Sequence, residues 1–354
     1  MNRRQMNLLV ACWMLSALPG CAQFHRFASN SGGTLGKVSQ VVKDNEKSFQ
    51  RANEMKKDCE ALKARTISFE EETAFGGAVS VNWVSKGGGL TNRSEARALH
   101  VQLNKIGKNL AAQSSRPNIP WTFGVLQSEG VNAVSGPGGY VFVSEGLLAQ
   151  LDNEAQLAGV LAHEIAHITG KHAMREYHTY LVEQCEDAAS DETKKAVMNT
   201  GVGIGKALGL IQQLPPGELR NLFQRLAANA DFNTLGKEAI KAITNGFVAS
   251  LTEKGFDTED EYAADLEAVE LMAAAGYSPE EYVAFLSKLP DKGLSTEHPR
   301  KEKRQERLRK HLAKWSGRAP NNEFTTPVDL SQTKVVPLRD ALQTERTGTA
   351  ARGN

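Results

Sequence analysis

His163-Glu164-Ile165-Ala166-His167 sets two imidazoles four positions apart with a carboxylate beside the first. On a helix, positions i and i+4 stand one turn apart on one face, so both rings can reach a single metal ion. Neutral imidazoles suit zinc, and a catalytic zinc keeps one coordination position open to water. Such an ion makes hydroxide accessible near neutral pH, and an adjacent glutamate takes the proton as the water attacks a carbonyl. The chemistry available to this set is metal-assisted hydrolysis, with His163 and His167 as ligands and Glu164 as general base. An exposed helix face without metal would carry the same residues, so a third ligand must come from elsewhere in the chain.

The elements that must position this set are legible on both sides of it. A helix starts near Asn153, with Gln156 as its capping partner, and turns Leu157, Val160, Leu161, Ile165 and Ile168 inward. Upstream, Leu99, Leu103, Ile106 and Leu110 fall on one face of a helix between Ser94 and Ala112. Beyond Arg116-Pro117-Asn118-Ile119-Pro120, the runs 121–126 and 140–144 are short, β-branched or aromatic, and read as strands; Gly136-Pro137-Gly138-Gly139 turns into the second. Downstream, 258–275 and 278–289 are helical, meeting at Gly276-Tyr277, with Pro279 opening the second. On residue type alone Glu259, Glu261 and Glu267 are equally eligible as third ligand. The stretch 181–255 has a helical character without clear landmarks. Its Gly201, Gly205 and Gly209 suit close helix packing, and Gly201-Val202-Gly203-Ile204-Gly205-Lys206 lacks the strand, spacing and hydroxyl of a phosphate loop.

With 354 residues the chain has ample length for a core, and a net charge of +1 gives no global field for nucleic acid. Its first residues carry an address. Arg3 and Arg4 precede an apolar run through Leu18, too short to span a bilayer comfortably, in the pattern of a signal peptide over 1–20. The run ends at Leu18-Pro19-Gly20-Cys21, which resembles a bacterial lipobox; Cys21 would be acylated, and cleavage after Ala22 is the alternative. Lipoproteins without Asp after that cysteine usually reach the outer membrane, so the address is the periplasm, lipid-anchored at the inner face of the outer membrane. Residues 21–36 read as a tether, 37–66 as a charged helix, 67–315 as the catalytic domain and 316–354 as a polar tail. Cys59 and Cys185 remain once Cys12 and Cys21 are used; in an oxidising compartment they either pair or stay as two thiols.

From Ser68 to Leu308 the chain resembles metallopeptidase family forty-eight, a gluzincin group. Glu261-Tyr262-Ala263-Ala264-Asp265, followed by Leu271-Met272-Ala273-Ala274-Ala275-Gly276-Tyr277-Ser278-Pro279, fits the family's Glu-x-x-x-Asp helix. The resemblance implies Glu261 as third ligand and Asp265 as the partner that orients a ligand histidine. Thr258 departs from the arginine usual three residues before the glutamate. The segment from Asn132 to Val143 is similar to the family's edge strand, with Gly138, Gly139, Tyr140, Val141 and Phe142 implied as the edge onto which an extended peptide adds. Glu297-His298-Pro299 and Arg304 resemble the family's His-Pro motif, implying oxyanion stabilisation by His298 and Arg304. His172 stands where some relatives carry a histidine that closes the open metal position. Gly170 would have to loosen the turn for His172 to do so, because on an unbroken helix it would lie opposite His163.

The expected fold is therefore α+β, a mainly helical gluzincin peptidase domain with a small β-sheet lining the cleft. The expected cofactor is one Zn2+ per chain, and the expected activity is peptide-bond hydrolysis. By resemblance the partners are misfolded or stalled envelope polypeptides, outer-membrane assembly machinery, and the membrane through the N-terminal lipid. Two rivals keep the metal: an assembly-factor lipoprotein with little proteolysis, and a purely structural zinc site.

Overall fold

The structure, a computed structural model, describes residues 34–91, 97–198, 214–289 and 300–316. The expected leader at 1–20, Cys21, the glycines at 201, 205 and 209, His298 and the residues beyond 316 lie outside these residues. In chain order the elements are α1 (Thr34–Ala64), α2 (Phe69–Lys86), α3 (Arg97–Ala112), β1 (Thr122–Leu126), β2 (Ala133–Gly136), β3 (Tyr140–Ser144), the single turn α4 (Glu145–Leu148), α5 (Glu154–Thr169), α6 (His172–Met198), α7 (Pro216–Ala227), a 3-10 turn (Phe232–Thr234), α8 (Lys237–Lys254), α9 (Thr258–Ala274), α10 (Pro279–Leu286) and α11 (Lys301–Ser316). The architecture is α+β and mainly helical, with a three-stranded sheet. Among the described residues no helix is long and apolar enough to cross a membrane.

Among the described residues, 34–64 and 182–198 form one unit and the rest another. In the smaller unit Ala52, Met55, Cys59 and Leu62 are buried at spacings that share one face of α1, and Cys185, Ala188 and Ala189 are buried on α6. Cys59 and Cys185 form a disulfide, with their Cα atoms 5.7 Å apart. The sequence division kept 67–315 together, whereas 182–198 group with α1; helical periodicity does not say which neighbour a helix packs on. Residues 34–36, expected in the tether, already belong to α1.

In the larger unit α5 is the central element, buried at every residue from Gln156 to Ile168. Asn153 caps it, accepting from the Gln156 amide at 2.9 Å, while Gln156 Oε1 accepts the Asp152 amide at 3.0 Å, one residue further back than a standard capping box. Arg116 clasps Glu72 of α2 at 2.7 and 3.0 Å and donates to the Ile168 carbonyl at 3.0 Å, satisfying the last turn of α5. α3, α9 and α10 pack directly against α5. Leu103, Ile106 and Leu110 of α3 join Leu157, Leu161 and Ile165 of α5 in one apolar core with Val125, Val141 and Val143 of the sheet. Gly159 allows α10 to approach, because a Cβ there would lie 2.6 Å from Cβ of Tyr282.

β3 pairs parallel to β1 and antiparallel to β2, giving the order β1-β3-β2. This corrects the expected edge. Tyr140, Val141 and Phe142 lie on the central strand, both of whose flanks are hydrogen-bonded, and Gly138 and Gly139 form the turn before it, at φ 79° and 101°. The edge on that side of the sheet is β2. Val141, Phe142 and Val143 are all buried, the continuous apolar run of a strand covered on both faces.

The disulfide spans a sequence separation of 126, for which chain entropy gives about 5 kcal/mol of stabilisation. Urea unfolding of the Cys59→Ser/Cys185→Ser variant is expected to show that loss, and adding reductant to the wild type is expected to move its transition to the same place.

Candidate metal centre

Helical spacing places His163 and His167 on one face of α5, their rings edge to face with Nε2 atoms 3.1 Å apart. Glu261, in the first turn of α9, brings Oε2 to 3.6 Å from His163 Nε2 and Oε1 to 3.5 Å from His167 Nε2. Ligands about 2.0–2.1 Å from a tetrahedral centre stand about 3.3 Å from one another. The three observed separations bracket that value, so the donor set fits a tetrahedral cation such as zinc. Asp257 caps α9, accepting from the Glu259 amide at 2.8 Å, and so fixes the turn that presents Glu261. The competing acids are placed elsewhere. The Glu259 side chain is 77% exposed, and Glu267 accepts the Thr169 hydroxyl at 2.6 Å, whereas Glu261 is fully buried. Glu164, beside His163, is buried and lines the cleft.

Behind His163 lies a second layer. Asp265 Oδ1 is 3.2 Å from His163 Nδ1. Arg304 of α11 clasps Asp265 through Nε at 2.8 Å and Nη2 at 2.6 Å, and the Tyr282 hydroxyl donates to Asp265 at 2.8 Å while accepting from Arg304 at 2.9 Å. Burial opposes ionisation of Asp265, yet the Arg304 guanidinium outweighs it and holds the carboxyl well below the ordinary carboxylate range. Burial likewise opposes charge on His163, but Asp265 and Glu261 prevail and raise its imidazole to about 9. Burial, with Asp265 nearby, keeps the Tyr282 phenol protonated far above its usual range.

Two expected roles are corrected by these positions. Arg304 was expected at the oxyanion, but its Nε and Nη2 are committed to Asp265 and Tyr282. It lies behind His163, on the far side of Asp265. His172 was expected to close the metal position, but its Nδ1 lies 2.8 Å from Nδ1 of His167, the ring nitrogen opposite the Nε2 that faces Glu261. His172 therefore backs His167.

The cleft at the site has a volume of about 150 Å³. Residues 132–135, in and before β2, form one wall beside His163, Glu164 and His167; Val160, Phe285, Leu286 and Leu289 form an apolar wall, with Phe256 and Leu251 also lining the cleft. Sequence reasoning missed Tyr282 and Phe256, which stacks on His167 with ring centroids 4.3 Å apart and 21° between planes. Tyr282 sits on a helix whose periodicity already explained its burial, and only the need of a buried phenol for a partner hinted at more.

The model of Peptidase family M48 matches residues 97–312. The beta-barrel assembly-enhancing protease of Yersinia pestis is 26% identical over 197 residues, 56% of this chain and 34% of that protein, and the protein of the same name from Escherichia coli K12 is 25% identical over the same shares. The mitochondrial metalloendopeptidase OMA1 of Schizosaccharomyces pombe is 38% identical over 73 residues, 21% of this chain and 22% of that protein. The chain thus spans about a third of the length of the beta-barrel assembly-enhancing proteases it matches. The family match runs from α3 into α11 and includes every residue of the three-donor cluster and the layer behind it, and the chain belongs to Peptidase family M48, whose members are metal-dependent peptidases.

Proposed function

We propose that this chain is a zinc endopeptidase of the His-Glu-x-x-His type, with His163, His167 and Glu261 as ligands to one Zn2+ and Glu164 as general base. The observation that carries the proposal is the convergence of three buried donors at 3.1, 3.6 and 3.5 Å beside a carboxylate that lines the cleft. Zinc held there supplies Lewis acidity toward the scissile carbonyl and an acidified water. Glu164 takes the proton of the attacking water and delivers it to the leaving amine nitrogen. Asp265, itself held by Arg304 and Tyr282, keeps Nδ1 of His163 engaged so that Nε2 points at the ion. The outer edge of β2 offers main-chain groups to an extended peptide, which gives affinity with broad sequence tolerance. His298, in its His-Pro motif, stabilises the oxyanion.

The address follows from the leader and from Cys21 as lipid anchor: the periplasm, at the inner face of the outer membrane. The Cys59–Cys185 bond supports an oxidising compartment. The relatives' names, which speak of a protease that enhances beta-barrel assembly, support a role with envelope beta-barrel proteins. Within that role the substrates are misfolded or stalled envelope proteins and the partner is the outer-membrane assembly machinery, in quality control. The division into a leader at 1–20, a tether from 21, a helix to about 66, a catalytic domain to 315 and a polar tail belongs to the same proposal, with 182–198 set apart by their grouping with α1.

In a casein assay Glu164→Gln is expected to lose 10²- to 10⁴-fold in rate, the range of general-base contributions, while still binding one zinc. Equal residual activity would remove the enzyme reading. Glu261→Ala is expected to come off purification without zinc; tight, stoichiometric metal in that variant would show that another residue is the third ligand. Arg304→Met leaves the Asp265 carboxylate buried without its partner and is expected to cost about 3–5 kcal/mol in urea unfolding. An oxyanion donor would instead lower kcat at unchanged stability.

A further inference from the structure

We propose that His172 is the positioning residue of His167, accepting the Nδ1 proton of that imidazole and so fixing the tautomer and ring plane that direct His167 Nε2 toward Glu261. The proposal rests on the reading of His163, His167 and Glu261 as holders of a divalent cation. Its starting point is a difference between the two histidines. A ligating histidine usually donates its second ring N–H to a carboxylate, a carbonyl or a water. At His163 a carboxylate, Asp265, stands 3.2 Å from Nδ1, whereas at His167 the neighbour is another imidazole, Nδ1 to Nδ1 at 2.8 Å.

The proton positions follow from that contact. For His167 to bind a cation through Nε2 its proton must sit on Nδ1. Two Nδ1 atoms at 2.8 Å share one proton, so His172 presents a bare Nδ1 as acceptor and carries its own proton on Nε2. That Nε2 lies 3.9 Å from Asp260 Oδ1, which in turn is held by Arg175 at 2.5 Å, so the proton-bearing side of the ring faces a carboxylate. Phe256 closes the arrangement by stacking on His167. Every one of these groups lies within the larger unit.

The backbone is built to bring His172 back to this place. α5 stops at Thr169, Lys171 adopts a left-handed φ of 55°, and α6 restarts at His172. A non-glycine residue in that region is uncommon, so the break is imposed by its surroundings. Gly170 supplies the space: a Cβ there would lie 2.3 Å from His172 Nε2 and 2.7 Å from its Cδ2. Arg175 also donates to the Gly170 carbonyl at 2.5 Å. The two-residue break thus brings an imidazole close in sequence to within reach of the far nitrogen of His167.

The test uses zinc itself and three variants of the full chain, read by chelator-competition affinity and by ¹⁵N resonances of the His167 ring. His172→Phe keeps a ring and removes the acceptor; it is expected to lose 10- to 100-fold in zinc affinity, the range for a lost partner of a ligating histidine. His172→Asn sets an oxygen near the place of Nδ1 and is expected to stay within about threefold of wild type, because an acceptor is retained. Gly170→Ala keeps every polar atom, suits the helical φ of −71° at that position, and displaces the His172 ring; it is expected to lose affinity as the Phe variant does. That variant carries the test if the Phe variant fails to fold. Wild-type affinity in His172→Phe and Gly170→Ala, or equal losses in Phe and Asn, would overturn the assignment while leaving the cation reading intact. A wild type that takes up no zinc would remove the cation reading first, and this one with it.

Discussion

A carboxylate buried completely between two imidazoles is the arrangement on which the larger unit depends. Burying a charge costs several kcal/mol unless an opposite charge and hydrogen bonds meet it. Asp265 is met by Arg304 and Tyr282. Glu261 faces the two Nε2 atoms at 3.6 and 3.5 Å, and with Asp265 also beside His163 two buried carboxylates turn toward the imidazoles, an arrangement that favours positive charge between them. A divalent ion held there would satisfy the same demand more fully than a proton, since all three groups would share it. The packing of α9 on α5, the Asp257 cap and the contact at Gly159 all serve to hold that geometry.

Much of this arrangement is legible in the amino-acid sequence. The histidine pair, the start of α5 at Asn153 and the inward face of α5 follow from helical spacing and capping chemistry, which are local. The third member of the donor cluster was not legible from residue type, and the family resemblance had to choose among three glutamates. A physical signal did exist. Glu261, Asp265, Ala268 and Met272 recur at helical spacing and are all buried, so Glu261 stands at the head of the stripe that packs inward, while Glu259 falls on the outer side. An acidic residue continuing an apolar stripe is a candidate ligand.

Other positions depended on partners distant in sequence, and these are where the reading failed. The turn at Gly138 and Gly139 gave the hairpin, but a hairpin does not say which of its strands a third will join. The uninterrupted run Val141-Phe142-Val143 did carry that information, because an edge strand with one wet face alternates. Arg304 was placed by a motif, which fixes spacing along the chain and not the direction of a guanidinium. A buried arginine needs a buried carboxylate, and Asp265, one turn after Glu261, meets Arg304 at 2.6 Å. His172 depended on a backbone break at Lys171, a residue with no intrinsic preference for a positive φ.

The source of the site's order bears on what the ion does. In small zinc modules the metal folds the chain, because the apolar core is too small to do so alone. Here the ligand helices are joined by Leu157, Leu161, Ile165, Ala268, Val269 and Met272, all part of one extensive core that includes α3, α10 and the sheet. Each fully buried leucine or isoleucine contributes about 1.5–3 kcal/mol, so the α5–α9 contact is secured by side chains that never touch the site. The entropy of bringing residues 163 and 261 together is thus met before any ion binds. In such a setting a structural zinc has less to add, and Glu164, buried on the cleft wall beside the donor cluster, favours the proposed hydrolytic reading. Three donors held together by an apolar core of their own, beside an acid on the cleft wall, are the arrangement that the proposed metal-assisted hydrolysis would use.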